Sequence, residues 1–354
     1  MTKHIIISHK NFINKFPDNC NWVYIGRDYT QVIYFNKKFG SKNRILLAQK
    51  FRNNFEKERL VFLEWIQNQR KKNDDSLFWW MSHLAGRNNM CSFIFESICQ
   101  IKSLKDFLYN NNDSNKILVI CENSFLCKAL INNLNSTYII KKSLSYYLGV
   151  IYDFTRYIFA IPIKLSLEIR KLFLLKIHSL LTFKRKKNNI KKNIFLINLC
   201  LDTKSFNKKN KLDDRYLTTL PSWIESKGFH VIRLPWLYNV NLPLKQIFKR
   251  LRNENCLIVE DYLSFYDYIN AIFNFLKSIF SPSYSIKYPN FNINSLLLNE
   301  QFIQARTTGN IQFWLNGIAI KKWSSSFNHI SYINTYELMP PEHSPIYYLR
   351  NNKN

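Results

Sequence analysis

Two strongly apolar runs constrain the fold of this chain more than any other feature of its sequence. They are Lys116–Cys121 and Ile194–Leu201. Strands that are apolar on both faces are typical of parallel sheets, because helices cover both faces of such a sheet. Segments with apolar residues three or four positions apart, as in helices, alternate with strand-like runs along the chain. We therefore predict an α/β fold with a Rossmann-like, mostly parallel sheet.

Shorter segments extend this alternation. Asn123 or Ser124 is the expected cap at the start of one helix, and Gly228 is expected to end another. Leu60 is expected to face inward from a charged helix at 50–71. Further strands are predicted at 22–25, 31–35, 137–140, 229–234, 256–259 and 329–333, and further helices at 92–109, 123–134, 213–227, 244–252, 262–280, 294–314 and 342–350.

The predicted elements divide the chain into four parts. Residues 1–142 and 191–333 are two α/β segments, and we expect them to pair into one doubly wound sheet because each contains a strand that needs helices on both faces. Residues 143–190 are predicted to be a basic, amphipathic helical insertion between them. Residues 334–354 are expected to begin a second domain that is missing or truncated.

The stretch 143–187 has the pattern of a helix with one apolar stripe. Basic residues interrupt each apolar run before it reaches the ~18–20 residues that cross a bilayer. Pro162 is expected to kink or split the helix. The stretch either rests on a membrane surface or packs on the protein's own core. The stripe consists of Tyr147, Ile151, Phe154, Ile158, Leu165, Ile169, Leu172 and Phe173, and the basic cluster Lys184, Arg185, Lys186 and Lys187, which would contact anionic headgroups, closes the stretch.

Composition favours an anionic partner. The chain has 354 residues, with 51 Lys and Arg against 24 Asp and Glu, and a net charge of +27. Such a surplus suits a membrane surface, a nucleic acid or a phosphate-bearing substrate. Seven cysteines are scattered without a C-x-x-C pair, which is typical of reduced thiols in cytosolic proteins. The apolar run at 5–7 is too short for a signal peptide, so we predict a cytosolic protein.

Several familiar catalytic motifs are absent from the sequence. The seven glycines do not form a dinucleotide-binding fingerprint or a phosphate-binding P-loop. No His or Cys cluster has the spacing of a metal site, and no G-x-S-x-G elbow is present. We therefore expect neither a metal nor a cofactor.

Three groups of polar residues are candidates for a site. The segment at 79–89 combines aromatic and hydrogen-bonding side chains that suit stacking on a sugar or base, although its two tryptophans could equally anchor a loop. Asp202 follows a strand, at the edge where open α/β sheets bind ligands. The carboxylates at 213–214 could instead cap a helix. The candidate substrate-binding residues are Trp80, Ser82, Arg87, Asn88, Arg215 and Tyr216, and the candidate catalytic carboxylates are Asp202, Asp214 and Glu337.

The order of these segments resembles a family of bacterial surface-carbohydrate biosynthesis proteins, which are similar to glycosyltransferases of the two-Rossmann-domain, GT-B type. The resemblance extends from about residue 77 onward. In the last segment Leu338 and Pro341 depart from the family's more usual Glu-Asn-x-Pro-Trp-Glu. The segments are Trp-Trp-x-Ser-x-x-Ala-x-Arg-Asn from Trp79, Asp-Arg-Tyr-Leu-x-x-Leu-Pro from Asp214, Gly-Phe-His-Val-x-x-Leu-Pro-Trp from Gly228 and Thr-Tyr-Glu-x-x-Pro-x-Glu from Thr335.

This resemblance implies a glycosyltransferase-like protein of surface polysaccharide or lipopolysaccharide synthesis, peripheral to the cytoplasmic face of the inner membrane. A nucleotide-sugar would be the donor and a glycan or lipid-linked molecule the acceptor. Carboxylates would activate the acceptor hydroxyl, and arginines would contact phosphate or sugar. The chain would be the acceptor-side half, so a partner would carry the donor-binding domain. The alternative is a non-enzymatic basic protein that binds an anionic membrane or nucleic acid. Under the glycosyltransferase hypothesis, we do not expect nucleic acid to be a partner.

Overall fold

The computed structural model describes residues 3–13, 17, 19–86, 92–111, 116–134, 138–183, 194–206, 212, 216–237, 240–254, 256–280, 287–306, 309–327, 330–334 and 340–350. The described strands are Lys3–His9 (β1), Cys20–Ile25 (β2), Lys116–Cys121 (β3), Tyr138–Lys142 (β4), Ile194–Leu201 (β5), His230–Leu237 (β6), Lys287–Tyr288 (β7), Phe291–Asn292 (β8) and Ile330–Ile333 (β9).

The described helices follow in the same chain order. Short 3-10 helices at Thr203–Phe206 and Val259–Tyr262 add to them. The α-helices are Tyr29–Phe39 (α1), Ala48–Lys72 (α2), Leu77–Trp80 (α3), His83–Gly86 (α4), Ile94–Asn110 (α5), Ser124–Asn133 (α6), Leu144–Thr182 (α7), Leu220–Ser226 (α8), Leu244–Asn253 (α9), Phe265–Phe280 (α10), Asn294–Arg306 (α11), Gly309–Ser324 (α12) and Pro340–Arg350 (α13).

The chain forms two compact units. The first comprises residues 1–79, 83–163 and 282–306, and the second comprises 80–82, 164–281 and 307–354. Both contain parallel strands and helices, which confirms the predicted α/β class. The prediction of a single sheet is wrong, because the two strongly apolar strands lie in two separate sheets. Each strand pairs with neighbours from its own unit: β3 pairs with β1, and β5 pairs with β6.

The first unit is built on a four-stranded parallel sheet in the order β2-β3-β1-β4. The central strand β3 is buried over residues 117–121, as its apolar sequence predicts. Trp22, Phe35 and Phe39 form a core cluster between the sheet and α1. Asn123 caps α6, because its side chain accepts a hydrogen bond from the Leu126 amide at 2.9 Å, as the sequence predicted.

The second unit has a three-stranded parallel sheet in the order β6-β5-β9. The apolar strand β5 lies at its centre, and Pro235 lies in the edge strand β6, where a missing backbone donor is tolerated. Leu199, Val231 and Phe248 belong to its core cluster. Gly228 adopts a positive φ of 85° directly after α8, which a glycine accommodates at a helix end.

Several predicted elements differ from the structure. Residues 31–35 belong to helix α1, not to a strand, because Asp28 caps the helix and Val32, Phe35 and Phe39 recur at helical spacing. Leu60 is 74% exposed instead of inward. Residues 256–259 form only an isolated bridge and the start of a 3-10 helix. Two helices, α11 and α12, replace the one predicted at 294–314, and α8 is shorter than the helix predicted at 213–227.

Candidate functional site

The first unit has a cavity of about 650 Å³ at the carboxyl ends of β1, β2 and β3. Open α/β sheets bind their ligands at this edge, because the loops that follow parallel strands converge there. Helices α5, α7 and α11 supply the other walls. We call it the strand-end cavity, and its polar lining includes His9, Lys10, Arg27, Asp28, Glu122, Asn123, Asp153, Arg156, Asn299 and Arg306.

His9 and Asp153 form a buried pair in the wall of this cavity. His9 ends strand β1 and is 1% exposed. Its Nδ1 accepts a hydrogen bond from the Asn11 amide at 3.2 Å, so the ring proton is assigned to Nε2. Nε2 lies 3.5 Å from Oδ2 of Asp153. Gly149 of α7 makes this approach possible, because a Cβ there would lie 2.4 Å from the His9 ring.

Asp153 also holds the start of helix α6. Its Oδ2 accepts a hydrogen bond from the Ser124 amide at 2.7 Å. Burial alone would raise the pKa of this carboxyl, but the hydrogen bonds from His9 and Ser124 outweigh it, and the pKa lies below its ordinary value. Asp153 is therefore a fixed negative charge at neutral pH. Because both ring nitrogens of His9 face protein groups, the pair positions the elements around the cavity.

A second ionic group lies where β2 and β3 end. The Arg27 amide donates to Oε2 of Glu122 at 2.7 Å, and Nε of Arg27 contacts Glu96 at 2.7 Å. The Arg27 guanidinium also lies 4.3 Å from the centre of the Phe93 ring. Lys10 Nζ is 3.6 Å from Oε1 of Glu122. The charges in this part of the cavity are therefore largely neutralised by each other.

Two other cations of the cavity lack such partners. Within the described residues, neither Arg156 of α7 nor Arg306 of α11 has a carboxylate at ion-pair distance, and Nε of Arg306 is buried without a hydrogen-bond partner. The Arg306 guanidinium lies 5.7 Å from the centre of the Tyr157 ring, and Tyr157 donates to Asn299 at 3.2 Å. This side of the cavity can therefore accept negative charge from a ligand.

Helix α7 runs through Pro162 as one helix, so the predicted split does not occur. In the first unit, its large apolar side chains are exposed over one face. Four of them, Tyr147, Ile151, Phe154 and Ile158, belong to the stripe that the sequence predicted. We call this surface the first apolar face, and it comprises Leu144, Tyr147, Leu148, Ile151, Phe154, Ile158, Phe159 and Ile163.

The second unit exposes a similar surface on α7 and α10. The rings of Phe173 and Phe265 lie 5.9 Å apart and join the two helices. Leu172, also part of the predicted stripe, is buried instead, and Leu165 and Ile169 are partly buried. We call this surface the second apolar face, and it comprises Leu167, Phe173, Leu174, Ile177, Leu180 and Leu181 of α7 with Phe265, Tyr266, Ile269 and Phe273 of α10.

The inward side of α7 carries polar groups with specific partners. In the second unit, Lys176 donates to the carbonyls of Glu260 and Leu263 at 2.7 and 2.6 Å. Ser179 donates to Asp261 at 2.5 Å. A surface helix of a soluble protein usually has the opposite arrangement, with its apolar side inward. The polar residues of α7 thus fix which side of the helix faces outward.

The structure describes four of the sequence-predicted site residues. Asp202 follows β5 as predicted, but its carboxylate accepts from the amide and hydroxyl of Ser205 at 3.0 and 3.3 Å, as a cap of the short helix there. Ser82 is buried, and Tyr216 is exposed. Trp80 contacts Tyr347 and, through its carbonyl, Nδ1 of His343 at 2.8 Å. Trp80 therefore packs against α13, which favours the anchoring interpretation.

The other predicted site residues lie outside the described residues. They are Arg87, Asn88, Asp214, Arg215, Glu337 and the basic cluster Lys184, Arg185, Lys186 and Lys187. Their assigned roles stay predictions. Asp202, Trp80, Ser82 and Tyr216 line neither the strand-end cavity nor the cavity bounded by Trp65, Gln69 and Tyr288.

The strand-end cavity uses residues that the sequence interpretation missed, although signals for them were present. Glu122 and Asn123 directly follow a predicted strand, in the same position that singled out Asp202. Gly26 follows another predicted strand. The apolar run at 5–7 forms the middle of strand β1, and His9 is the last residue of that strand. Position directly after a predicted parallel strand is therefore the sequence signal for this edge.

Within the described ranges, no group of three His, Cys, Asp or Glu side chains is arranged to hold a metal ion. No described helix is long and apolar enough to cross a membrane. The described cysteines are free thiols. Comparison with protein-family models, curated proteins and solved structures gave no match.

Proposed function

We propose that this chain is a peripheral protein of an anionic membrane surface, and that it takes part there in glycosyltransferase-like synthesis of a surface polysaccharide or lipopolysaccharide. The observation behind the membrane part is the outward apolar side of α7, in both units. The proposal places the protein at the cytoplasmic face of the inner membrane.

The energetics of α7 favour a lipid surface. Each large apolar side chain that leaves water contributes about 1.5–3 kcal/mol, and contiguous apolar surface of this kind marks an interaction site on a soluble protein. Basic residues Arg156, Lys164 and Arg170 lie on the same helix among the exposed positions. Amphipathic helices that rest on anionic headgroups combine these two features.

Acidic substitutions on the first apolar face should weaken binding to vesicles that contain one-third phosphatidylserine. We expect Ile151→Asp combined with Phe154→Asp to reduce the partition coefficient at least tenfold, because two exposed apolar side chains that would enter the lipid are replaced by charges that anionic lipid repels. Co-sedimentation with sucrose-loaded vesicles measures the change. Leu60→Asp is the control, since Leu60 is also an exposed apolar residue but lies on α2. Equal binding by the double variant and wild type would contradict the proposal.

The basic cluster gives a second arm of the same experiment. Replacing Lys184, Arg185, Lys186 and Lys187 with Gln should weaken vesicle binding, since each basic group near an anionic surface contributes about 1 kcal/mol. The loss should disappear on neutral phosphatidylcholine vesicles. It should also shrink in 0.5 M salt, because the screening length is about 10 Å at 0.1 M and shortens as the salt concentration rises. A loss that is equal on neutral vesicles would argue against electrostatic contact.

The glycosyltransferase part rests on the order of the sequence segments, on the parallel sheet in each unit and on the strand-end cavity. The donor-binding domain is proposed to belong to a partner, so this chain alone should bind nucleotide-sugars weakly. Isothermal titration against a panel of uridine- and guanosine-diphosphate sugars measures this directly. Tight, stoichiometric binding would remove the need for a partner, whereas sugar transfer that appears only after a partner is added would support it.

Membrane binding without catalysis is the second candidate, because the apolar faces require no reaction. Under this alternative, neither transfer nor nucleotide-sugar binding appears under any condition, while vesicle binding persists. A salt series with DNA separates the remaining basic-protein hypothesis: tighter binding to DNA than to vesicles, with a steep salt dependence, would favour nucleic acid.

A further inference from the structure

We propose that the strand-end cavity of the first unit is a binding site for a phosphate group, held between Arg156 of α7 and Arg306 of α11. Neither arginine is among the sequence-predicted site residues. The site is in a cavity of about 650 Å³, which is large enough for a small phosphorylated molecule.

The distribution of charge in the cavity supports an anionic ligand. Lys10 and Arg27 lie close to carboxylates, and the Asp153 carboxylate accepts from the Ser124 amide and lies beside the His9 ring. Within the described chain, no carboxylate lies at ion-pair distance from Arg156 or Arg306. A guanidinium presents a planar set of donors that matches phosphate oxygens, often through two parallel hydrogen bonds.

The residues around Arg306 are held in place by contacts with one another. Tyr157 stacks on Phe302 with ring centres 4.7 Å apart and holds Asn299 by its hydroxyl, so the ring beneath Arg306 is fixed. Nε of Arg306 is buried and unpartnered, which is costly unless a further acceptor arrives. A phosphate oxygen would supply that acceptor.

The phosphate could come from a free solute or from a lipid headgroup. Tyr152 and Arg156 line the cavity, and the exposed Ile151 and Phe159 lie on the same part of α7. A headgroup phosphate could therefore enter while its acyl chains contact the first apolar face. This second source rests on the proposed membrane function, whereas phosphate binding itself does not.

Isothermal titration of the full chain with pyrophosphate tests the site. Wild type should show saturable binding, and Arg156→Gln and Arg306→Gln should each weaken it at least tenfold through the loss of a charge-assisted contact. Arg170→Gln is the control, because Arg170 is an exposed arginine of α7 outside the cavity. Arg306→Lys keeps the charge and should weaken binding less than Arg306→Gln. Circular dichroism and the urea midpoint establish that each variant is folded.

Vesicles distinguish the two sources. If the ligand is a lipid phosphate, Arg156→Gln should lose the preference for phosphatidic acid over phosphatidylserine vesicles; if it is a solute, vesicle binding should stay unchanged while pyrophosphate binding falls. Both results support a phosphate site. No saturable binding of pyrophosphate or phosphatidic acid by wild type, or binding that is unaffected in both glutamine variants, would overturn it. Failure of vesicle binding alone would contradict only the membrane function.

Discussion

Asp153→Ala should lower the free energy of unfolding by about 1–3 kcal/mol, the cost of leaving a buried hydrogen-bond donor without its acceptor. The carboxylate accepts from the Ser124 amide and contacts His9 Nε2. Its removal leaves the buried Ser124 amide without an acceptor and takes away the carboxylate beside His9 Nε2. Urea titration followed by tryptophan fluorescence measures the loss. Hydrogen exchange should show the largest increase at the Ser124 amide, where α6 begins.

The pH dependence of the same site has a defined sign. The pKa of Asp153 is lower in the folded protein than its ordinary value, so the folded state binds its proton less readily than the unfolded state does. The stabilisation is complete above the ordinary pKa of about 3.9 and is lost as the pH falls through the lower folded value. The stability difference between wild type and Asp153→Asn should therefore be constant from pH 5 to 7 and shrink below about pH 4.

Glu64→Gln provides the control for Asp153, because Glu64 is an exposed carboxylate on α2. It should change the free energy of unfolding by no more than about 0.5 kcal/mol. An Asp153→Ala variant as stable as this control would mean that the His9 contact and the α6 cap contribute little, and that the cavity wall is held by packing alone.

The fold class followed from the sequence because parallel strands have a local signature. Lys116–Cys121 and Ile194–Leu201 are apolar on both faces, and both are central strands of parallel sheets. The pairing of those strands had no such signature. Pairing depends on hydrogen bonds between segments more than a hundred residues apart, such as Ile5 with Ile117, so sequence pattern alone could not separate one sheet from two.

The site was less predictable than the fold for a related reason. His9, Asp153 and Arg306 are brought together by three different elements, and no spacing along the chain records their proximity. Motif order instead drew attention to Asp202 and Trp80. In the structure, the Asp202 carboxylate accepts from the Ser205 amide, and the Trp80 carbonyl contacts His343. Position after a parallel strand was the useful signal, because it depends on backbone direction and not on residue type.

The apolar periodicity of α7 does not determine the orientation of this helix. An apolar stripe predicts that one face avoids water, but it does not say whether protein or lipid covers that face. The contacts made by the opposite side of the helix determine which face points outward. Lys176 and Ser179 find their partners at residues 260–263, and these contacts turn Phe173 and Ile177 outward.

The contact that fixes the second half of α7 is an ion pair, so it should be more costly to break than the contacts of Asp153. Arg252 of α9 makes two hydrogen bonds to the Asp261 carboxylate, one of them Nη2 to Oδ1 at 2.6 Å. Nη2 also donates to the Ser179 carbonyl at 3.1 Å. Both charged side chains are largely buried. Asp261→Ala leaves the Arg252 guanidinium buried and uncompensated, so we expect a loss of about 3–5 kcal/mol in the free energy of unfolding.

A second variant separates the buried charge from the contact itself. In Arg252→Met combined with Asp261→Ala, no unpaired charge remains, and a buried ion pair replaced by apolar groups is often close to neutral in stability. The double variant should therefore recover at least half of the loss, as measured by urea titration. Because α7 would then lack its tie through Ser179, hydrogen exchange at 176–182 should still be faster than in wild type. A double variant less stable than Asp261→Ala alone would mean that Arg252 stabilises the unit through its own contacts with Ser179 and the Phe183 ring, and not through the ion pair.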